Sequence, residues 1–221
     1  MMTDQTVDTP RIVILISGTG SNMVTIAEQA RAGEIPGLVA AVISNRPDVA
    51  GIQHARDRDL PTEVLDHKAF DSREAFDAAL IPVIDQYQPD LVVLAGFMRI
   101  LSADFVRHYQ GRMLNIHPSL LPKYQGLNTH QRAIDAGDEE HGVSVHFVTE
   151  ELDGGPVVIQ AAVQVLEDDD AATLQRRVQQ QEHIIYPIAV KWFVEGRLKM
   201  TDNGVTLDKQ PLPASGVRLT D

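Results

Sequence analysis

The sequence contains no cysteine, which excludes a disulfide framework, a thiolate nucleophile and any zinc site built on sulfur. It has no apolar run approaching the roughly 18 residues that cross a bilayer. Its first ten residues, MMTDQTVDTP, lack the basic-then-apolar layout of a secretory signal. Basic residues are scarce, with 19 Lys and Arg against 31 Asp and Glu and a net charge of −12. That deficit argues against nucleic acid as a partner, because a phosphate backbone demands a basic face. A small phosphorylated ligand is not excluded, since a few N–H groups at a helix start can hold one. What remains is an ordinary globular composition, 43% hydrophobic and 23% charged over 221 residues. These features predict a cytoplasmic protein with no membrane partner, of one domain or at most two.

Short apolar runs alternate with helical patterns through the first half, as in βαβ units around a parallel sheet. Strands are expected at Arg11–Ser17, Leu38–Ser44, Thr62–Leu65, Asp90–Ala95 and Arg112–Ile116. Helices are expected near Asn22–Ala32, Val49–Asp59, Asp71–Gln86 and Ala103–Tyr109. IVILI and LVVLA show no polar alternation, which suits strands covered on both faces. After Leu127 the pattern changes. A helix near Thr129–Ala136 precedes strands at Gly142–Thr149 and Pro156–Leu166, read as an antiparallel pair. A long helix then runs to about Glu195, with Pro187 expected to bend it. Asn203-Gly204 suggests a hairpin turn, and the last dozen residues read as frayed. The expected fold is α/β, an open and mostly parallel twisted sheet with helices on both faces and an antiparallel addition in the C-terminal part. Residues 1–10 read as a disordered extension, 11–200 as one catalytic domain and 201–221 as a hairpin and tail.

Ser17-Gly18-Thr19-Gly20-Ser21-Asn22 follows the first strand and opens a helix. Free N–H groups and the positive end of the helix dipole then converge on one point, for which phosphate is the natural ligand. A Walker loop is excluded by the missing lysine. A dinucleotide fingerprint needs glycine where Met23 stands and an acid where Ser44-Asn45 stand. The plainer reading is a tight turn with a helix cap.

Asn115-Ile116-His117-Pro118 ends the fifth strand. Alternation puts Asn115 and His117 on one face, and Pro118 favours an extended His117. An amide beside an imidazole suits acyl transfer to an amine, where an oxyanion must be stabilised and a proton moved. Asp153, in Glu151-Leu152-Asp153-Gly154-Gly155, is the candidate carboxylate. Alone, a histidine before proline is more often structural and Asp153 a turn residue, so spacing by itself leaves the matter open.

Six segments in order, SGTGSN, AGFMRIL, NIHPSLLPKY, GVSVHFV, ELDGGPV and QEHIIYP, closely resemble the phosphoribosylglycinamide formyltransferases of purine synthesis. The resemblance runs from about Arg11 to Met200. It implies a Rossmann-like formyltransferase fold and two small-molecule substrates, glycinamide ribonucleotide and 10-formyltetrahydrofolate, the latter a consumed co-substrate, with no metal and a monomer or homodimer. By the same resemblance Gly20, Ser21 and Asn22 hold the substrate phosphate, and Asn115, His117 and Asp153 are catalytic. Gln179, Gln180, Gln181 and Glu182 meet the glycinamide end, with Glu182 on the amine. The folate site takes Arg73, Met98, Arg99, Ile100, Leu101, Asn115, Thr149, Glu150, Glu151, Leu152 and Asp153. Ser144 and His146 share a strand face and look like support for the catalytic group. Thr19 stands where asparagine is common, and Gln125 and Asn128 where proline and histidine are expected.

Asp168-Asp169-Asp170 reads as an acidic helix start rather than a metal site. His141 and His146 fall on opposite faces of their strand. Among related readings, formyltetrahydrofolate hydrolases carry an N-terminal regulatory domain and methionyl-tRNA formyltransferases a C-terminal tRNA-binding domain, for which this chain is expected to have no room. A catalytically idle nucleotide-binding module fits poorly with the presence of Asn115, His117 and Asp153 together.

Overall fold

The computed structural model describes residues 9–219. Most of the expected N-terminal extension and the last two residues of the tail lie outside them. An eight-stranded sheet organises the chain, in the order β11-β7-β6-β5-β4-β1-β2-β3. Its first half comprises β1 (Arg11–Ile16), β2 (Leu38–Ser44), β3 (Thr62–Val64), β4 (Leu91–Leu94) and β5 (Met113–His117), all parallel. The helices between them are α1 (Ser21–Arg31), α2 (Ala50–Arg56), α3 (Arg73–Asp85) and α4 (Ala103–His108). Next come α5 (Thr129–Asp135), β6 (Glu140–Phe147) and β7 (Val157–Gln164). β6 runs antiparallel to both β5 and β7.

Both faces of the sheet are covered, which explains the unbroken apolar runs. Ile12, Ile14 and Ile16 face one core with α1 and α6 (Ala171–Val194), while Val13 and Leu15 face another with α3 and α4. α6 begins on Asp170, whose carboxylate accepts the Thr173 N–H in a capping box, and it continues past Pro187. Asp169 meanwhile accepts from Arg177 and from the Leu166 N–H, so the acidic run terminates and braces a helix. Among the described residues no helix is long and apolar enough to cross a membrane.

A small antiparallel sheet follows, made of β8 (Leu198–Thr201), β9 (Gly204–Leu207) and β10 (Gln210–Pro211). The expectation of a frayed end is corrected by β11 (Val217–Leu219), which pairs parallel with β7. Pro211 and Pro213 hide this strand in the sequence. The free edge of β7 supplies its partner, and an Arg218–Glu140 ion pair at 2.6 Å secures it. α2 stops at Arg56, short of the expected Asp59. There Asp59 turns left-handed (φ 57°) and the Leu60 N–H returns to the Ala55 carbonyl.

Candidate active site

β1 has β4 on one side and β2 on the other, so the sheet changes winding direction between β1 and β4. Such a switch point opens a crevice beyond the strand carboxyl ends. The glycine loop enters it from β1. Gly20 is the N-cap of α1 in the left-handed region (φ 72°) and offers no side-chain cap, so the first N–H groups of the helix keep no intrahelical partner. The loop is pinned by α2, where the Gly51 N–H donates to the Gly18 carbonyl at 3.0 Å. A Cβ at Gly51 would strike the Gly18 and Thr19 carbonyls at 2.8 and 3.2 Å. Sequence reasoning passed over Gly51, although glycine inside a helical pattern is itself a sign of close approach.

α6 closes this pocket. Gln179 donates to Ser21 Oγ at 3.1 Å, and Asn22 Nδ2 donates to Glu182 Oε2 at 2.8 Å. Burial raises the Glu182 carboxyl above its ordinary pKa, and the Asn22 amide offsets part of that. Asn22 Oδ1 is buried without a partner. Gln179 and Glu182 thus share a helix face toward the loop, whereas Gln181 is half-buried and Gln180 exposed.

β5 and β6 build the centre. Their register sets Asn115 opposite His146 and His117 opposite Ser144. His146 Nδ1 lies 2.9 Å from the Phe147 carbonyl, which can only accept. Nδ1 therefore carries the proton, and Nε2 accepts an N–H of the Asn115 amide at 3.2 Å. Burial lowers the His146 pKa and keeps the ring in the neutral form this relay requires. One Asn115 N–H is spent on His146; the other is free. His117 Nε2 lies 2.8 Å from the Tyr124 carbonyl and Nδ1 lies 3.5 Å from Asp153 Oδ2, so both nitrogens face acceptors, an arrangement the imidazolium satisfies. Asp153 Oδ2 also accepts the Gly126 N–H at 3.0 Å, and Gln125 Nε2 donates to the Asp153 carbonyl at 3.3 Å. Ser144 Oγ donates to the Ser119 carbonyl and accepts from Leu121 N–H and Gln160 Nε2. It braces the turn after His117. The carbonyls of Tyr124 and Phe147 were invisible to sequence reasoning because every residue carries one.

A third group lines the mouth. Arg73, Glu74, Met98, Arg99 and Ile100 surround a cavity of about 430 Å³. Met98 and Ile100 are 67% and 57% exposed, while Leu101 packs against the α3–α4 core. No residue of the Thr149–Asp153 segment lines that cavity; Leu152 is exposed and Glu150 pairs with Arg107 at 2.7 Å. The Glu151 carbonyl accepts the Gly154 N–H at 3.1 Å, closing the turn that carries Asp153.

Residues 10–190 match the formyl transferase family. A phosphoribosylglycinamide formyltransferase of Escherichia coli is 58% identical over 205 residues, covering 93% of this chain and 97% of its own. A solved phosphoribosylglycinamide formyltransferase from Coxiella burnetii superposes with a TM-score of 0.92 at 50% identity, covering 96% of this chain and all of its own. The human trifunctional purine biosynthetic protein adenosine-3 is 43% identical over 88% of this chain, which spans 19% of that protein. The chain belongs to the formyl transferase family, and within it to the phosphoribosylglycinamide formyltransferases.

Proposed function

We propose that the chain transfers the formyl group of 10-formyltetrahydrofolate to the amine of glycinamide ribonucleotide in purine biosynthesis. The observation carrying this reading is that Asp153, remote in sequence, packs against His117 beside Asn115 at the sheet end where an uncapped helix start offers free N–H groups. In this reading Gly20, Ser21 and Asn22 hold the phosphate, and Gln179 to Glu182 receive the glycinamide end, with Glu182 on the amine. Arg73, Met98–Leu101 and Thr149–Asp153 form the folate site.

The amine attacks the formyl carbon, and the carbonyl electrons move onto oxygen as the new C–N bond forms. The free N–H of Asn115 donates to that oxyanion, one preorganised donor being worth about 2.7–4 kcal/mol of barrier, and protonated His117, its two N–H groups turned to Tyr124 and Asp153, stabilises it by charge. Asp153 favours the imidazolium and helps carry the proton from the attacking nitrogen, through water, toward the departing folate nitrogen. The bond from that nitrogen to the formyl carbon then breaks. No metal takes part in the step. The reading extends to a cytoplasmic enzyme, monomer or homodimer, acting on small molecules rather than nucleic acid, in keeping with a net charge of −12. Residues 11–200 serve as one catalytic domain, extended by the β8–β10 sheet and by β11, which joins the main sheet.

A spectroscopic assay with 10-formyltetrahydrofolate tests the proposal, run with and without glycinamide ribonucleotide. Deformylation that depends on the ribonucleotide is expected. Turnover without an amine would indicate a hydrolase instead, and silence in both would indicate a binding module. His117→Ala is expected to abolish turnover with the fold intact; a near-normal rate would remove His117 from its role.

A further inference from the structure

Asp77 is a buried carboxylate that the reaction as described does not use. It lies on α3, one turn after Arg73, and is 1% exposed. Its Oδ2 accepts the Ser102 backbone N–H at 2.5 Å, and its Oδ1 has no partner. Ser102 is buried too and caps α4, its Oγ accepting the Phe105 N–H.

The chain from Phe97 to Leu101 belongs to no helix or strand, so no backbone ladder sets its path. It is tied at two points. At one, the Met98 N–H donates to Ser17 Oγ at 2.8 Å, and Ser17 donates onward to Asn45 Oδ1 at 2.6 Å. At the other stands Asp77. Between the ties Met98 and Ile100 face the cavity, and the Arg99 guanidinium folds back 5.2 Å above the ring of Phe76. Arg99 Nε is buried and unpartnered. Asp77 Oδ1 and Arg99 Nε are thus both buried and unpartnered; the Ser102 N–H and, through space, Arg99 offset the burial that raises the Asp77 pKa. Burying a carboxylate is expensive, and a helix anchor alone needs only a neutral acceptor.

We infer that Asp77 is a positioning residue for the formyl-folate, fixing the Met98–Leu101 wall through the Ser102 N–H without touching the ligand. The inference rests on the reading of that segment as folate-binding. Asp77→Asn keeps the size and an acceptor for Ser102 but removes the charge that strengthens that hydrogen bond. The expected result is a KM for 10-formyltetrahydrofolate raised about tenfold, the difference between a charged and a neutral acceptor for the Ser102 N–H, with kcat and the KM for glycinamide ribonucleotide unchanged. A merely structural residue would lower Tm and move both KM values together or neither, and either pattern overturns the inference. If Asp77→Asn does not fold, Ser102→Pro gives the same reading when compared with Ser102→Ala, which loses the same helix cap but keeps the N–H. Proline fits the φ of −71° at that position yet deletes the N–H that Asp77 accepts. Arg99→Ala and Ile100→Ala probe the wall itself. Should they leave the folate KM unchanged, the folate assignment of the segment fails, and the inference with it. Should they raise it while both anchor variants do not, the positioning role alone fails.

Discussion

An alanine at position 155 reaches the oxyanion donor through the backbone. Gly155 lies outside the left-handed region, so alanine meets no conformational penalty there and the whole cost is contact. The added Cβ would land on the carbonyl oxygen of Phe147, well inside van der Waals distance. That carbonyl accepts the Nδ1–H of His146, whose Nε2 orients the Asn115 amide. The backbone must move, and the relay moves with it. Overpacking of this kind costs about 1–3 kcal/mol of stability, at about 2–4 °C in Tm per kcal/mol for a chain of this size. Losing one aligned oxyanion donor costs about 10²–10³ in kcat. Gly154→Ala is the matched control, because the three atoms nearest its Cβ all belong to the side chain of Glu151, which is exposed and can swing aside. Steady-state kinetics at saturating substrates, with calorimetry on both variants, separate the two effects. Gly155→Ala should lose about a hundredfold or more in kcat, and Gly154→Ala should stay close to the parent. A Gly155→Ala enzyme with lowered Tm and kcat within a few-fold of the parent would refute the relay from Phe147 to Asn115.

Three further outcomes follow from buried polar groups. Burial raises the Glu182 pKa, so its contribution to stability is complete below the unfolded pKa and lost as pH rises through the folded one. Glu182→Gln should therefore raise Tm at neutral pH, by less in acid, while kcat/KM for the ribonucleotide falls; a lower neutral-pH Tm would contradict the sign. Burial and the neighbouring His130 hold His141 down to about 4 from an ordinary 6.5, so its contribution is complete above pH 6.5 and lost as pH falls toward 4. His141→Asn should flatten the slope of Tm against pH across that window, and an unchanged slope would exclude His141 as its source. Tyr186 is fully buried and its hydroxyl bridges the Leu94 and Leu114 carbonyls at 2.8 and 3.0 Å. Tyr186→Phe should cost about 1–3 kcal/mol by calorimetry, and a neutral result would mean those carbonyls find other partners.

The sheet was legible where one rule governed several residues at once. Uninterrupted apolar runs announced the buried parallel strands, and β2 falls on its expected Leu38–Ser44 bounds. Alternation alone was enough to put Asn115 and His117 together, because side chains two apart in a strand share a face. What stayed hidden depends on groups without a side-chain signature. The Tyr124 and Phe147 carbonyls that orient the two histidines are of this kind, as is the β7 edge that recruits Val217–Leu219. Asp77 was hidden for a different reason. On a helix it reads as one more solvated acid, and only the tertiary fold reveals that it is buried against Ser102.

The single reversed strand explains how the catalytic face is closed. Because β6 runs against β5, the connection into β6 leaves from the carboxyl end of β5, past His117, while the connection out of it begins beside Met113, where the Val148 N–H donates to the Met113 carbonyl at 3.0 Å. The two loops therefore approach the face carrying Asn115 and His117 from opposite ends of β5. They meet over it, through the Gly126 N–H on Asp153 Oδ2 and the Gln125 amide on the Asp153 carbonyl. A parallel β6 would start beside the amino end of β5 and send its outgoing loop off the carboxyl end, away from that opposed approach. The reversal thus does two jobs with one strand. It sets His146 opposite Asn115 from within the sheet, and it delivers Asp153 to His117 from above, so the amide and the imidazole are each fixed by a partner that arrives by a different route.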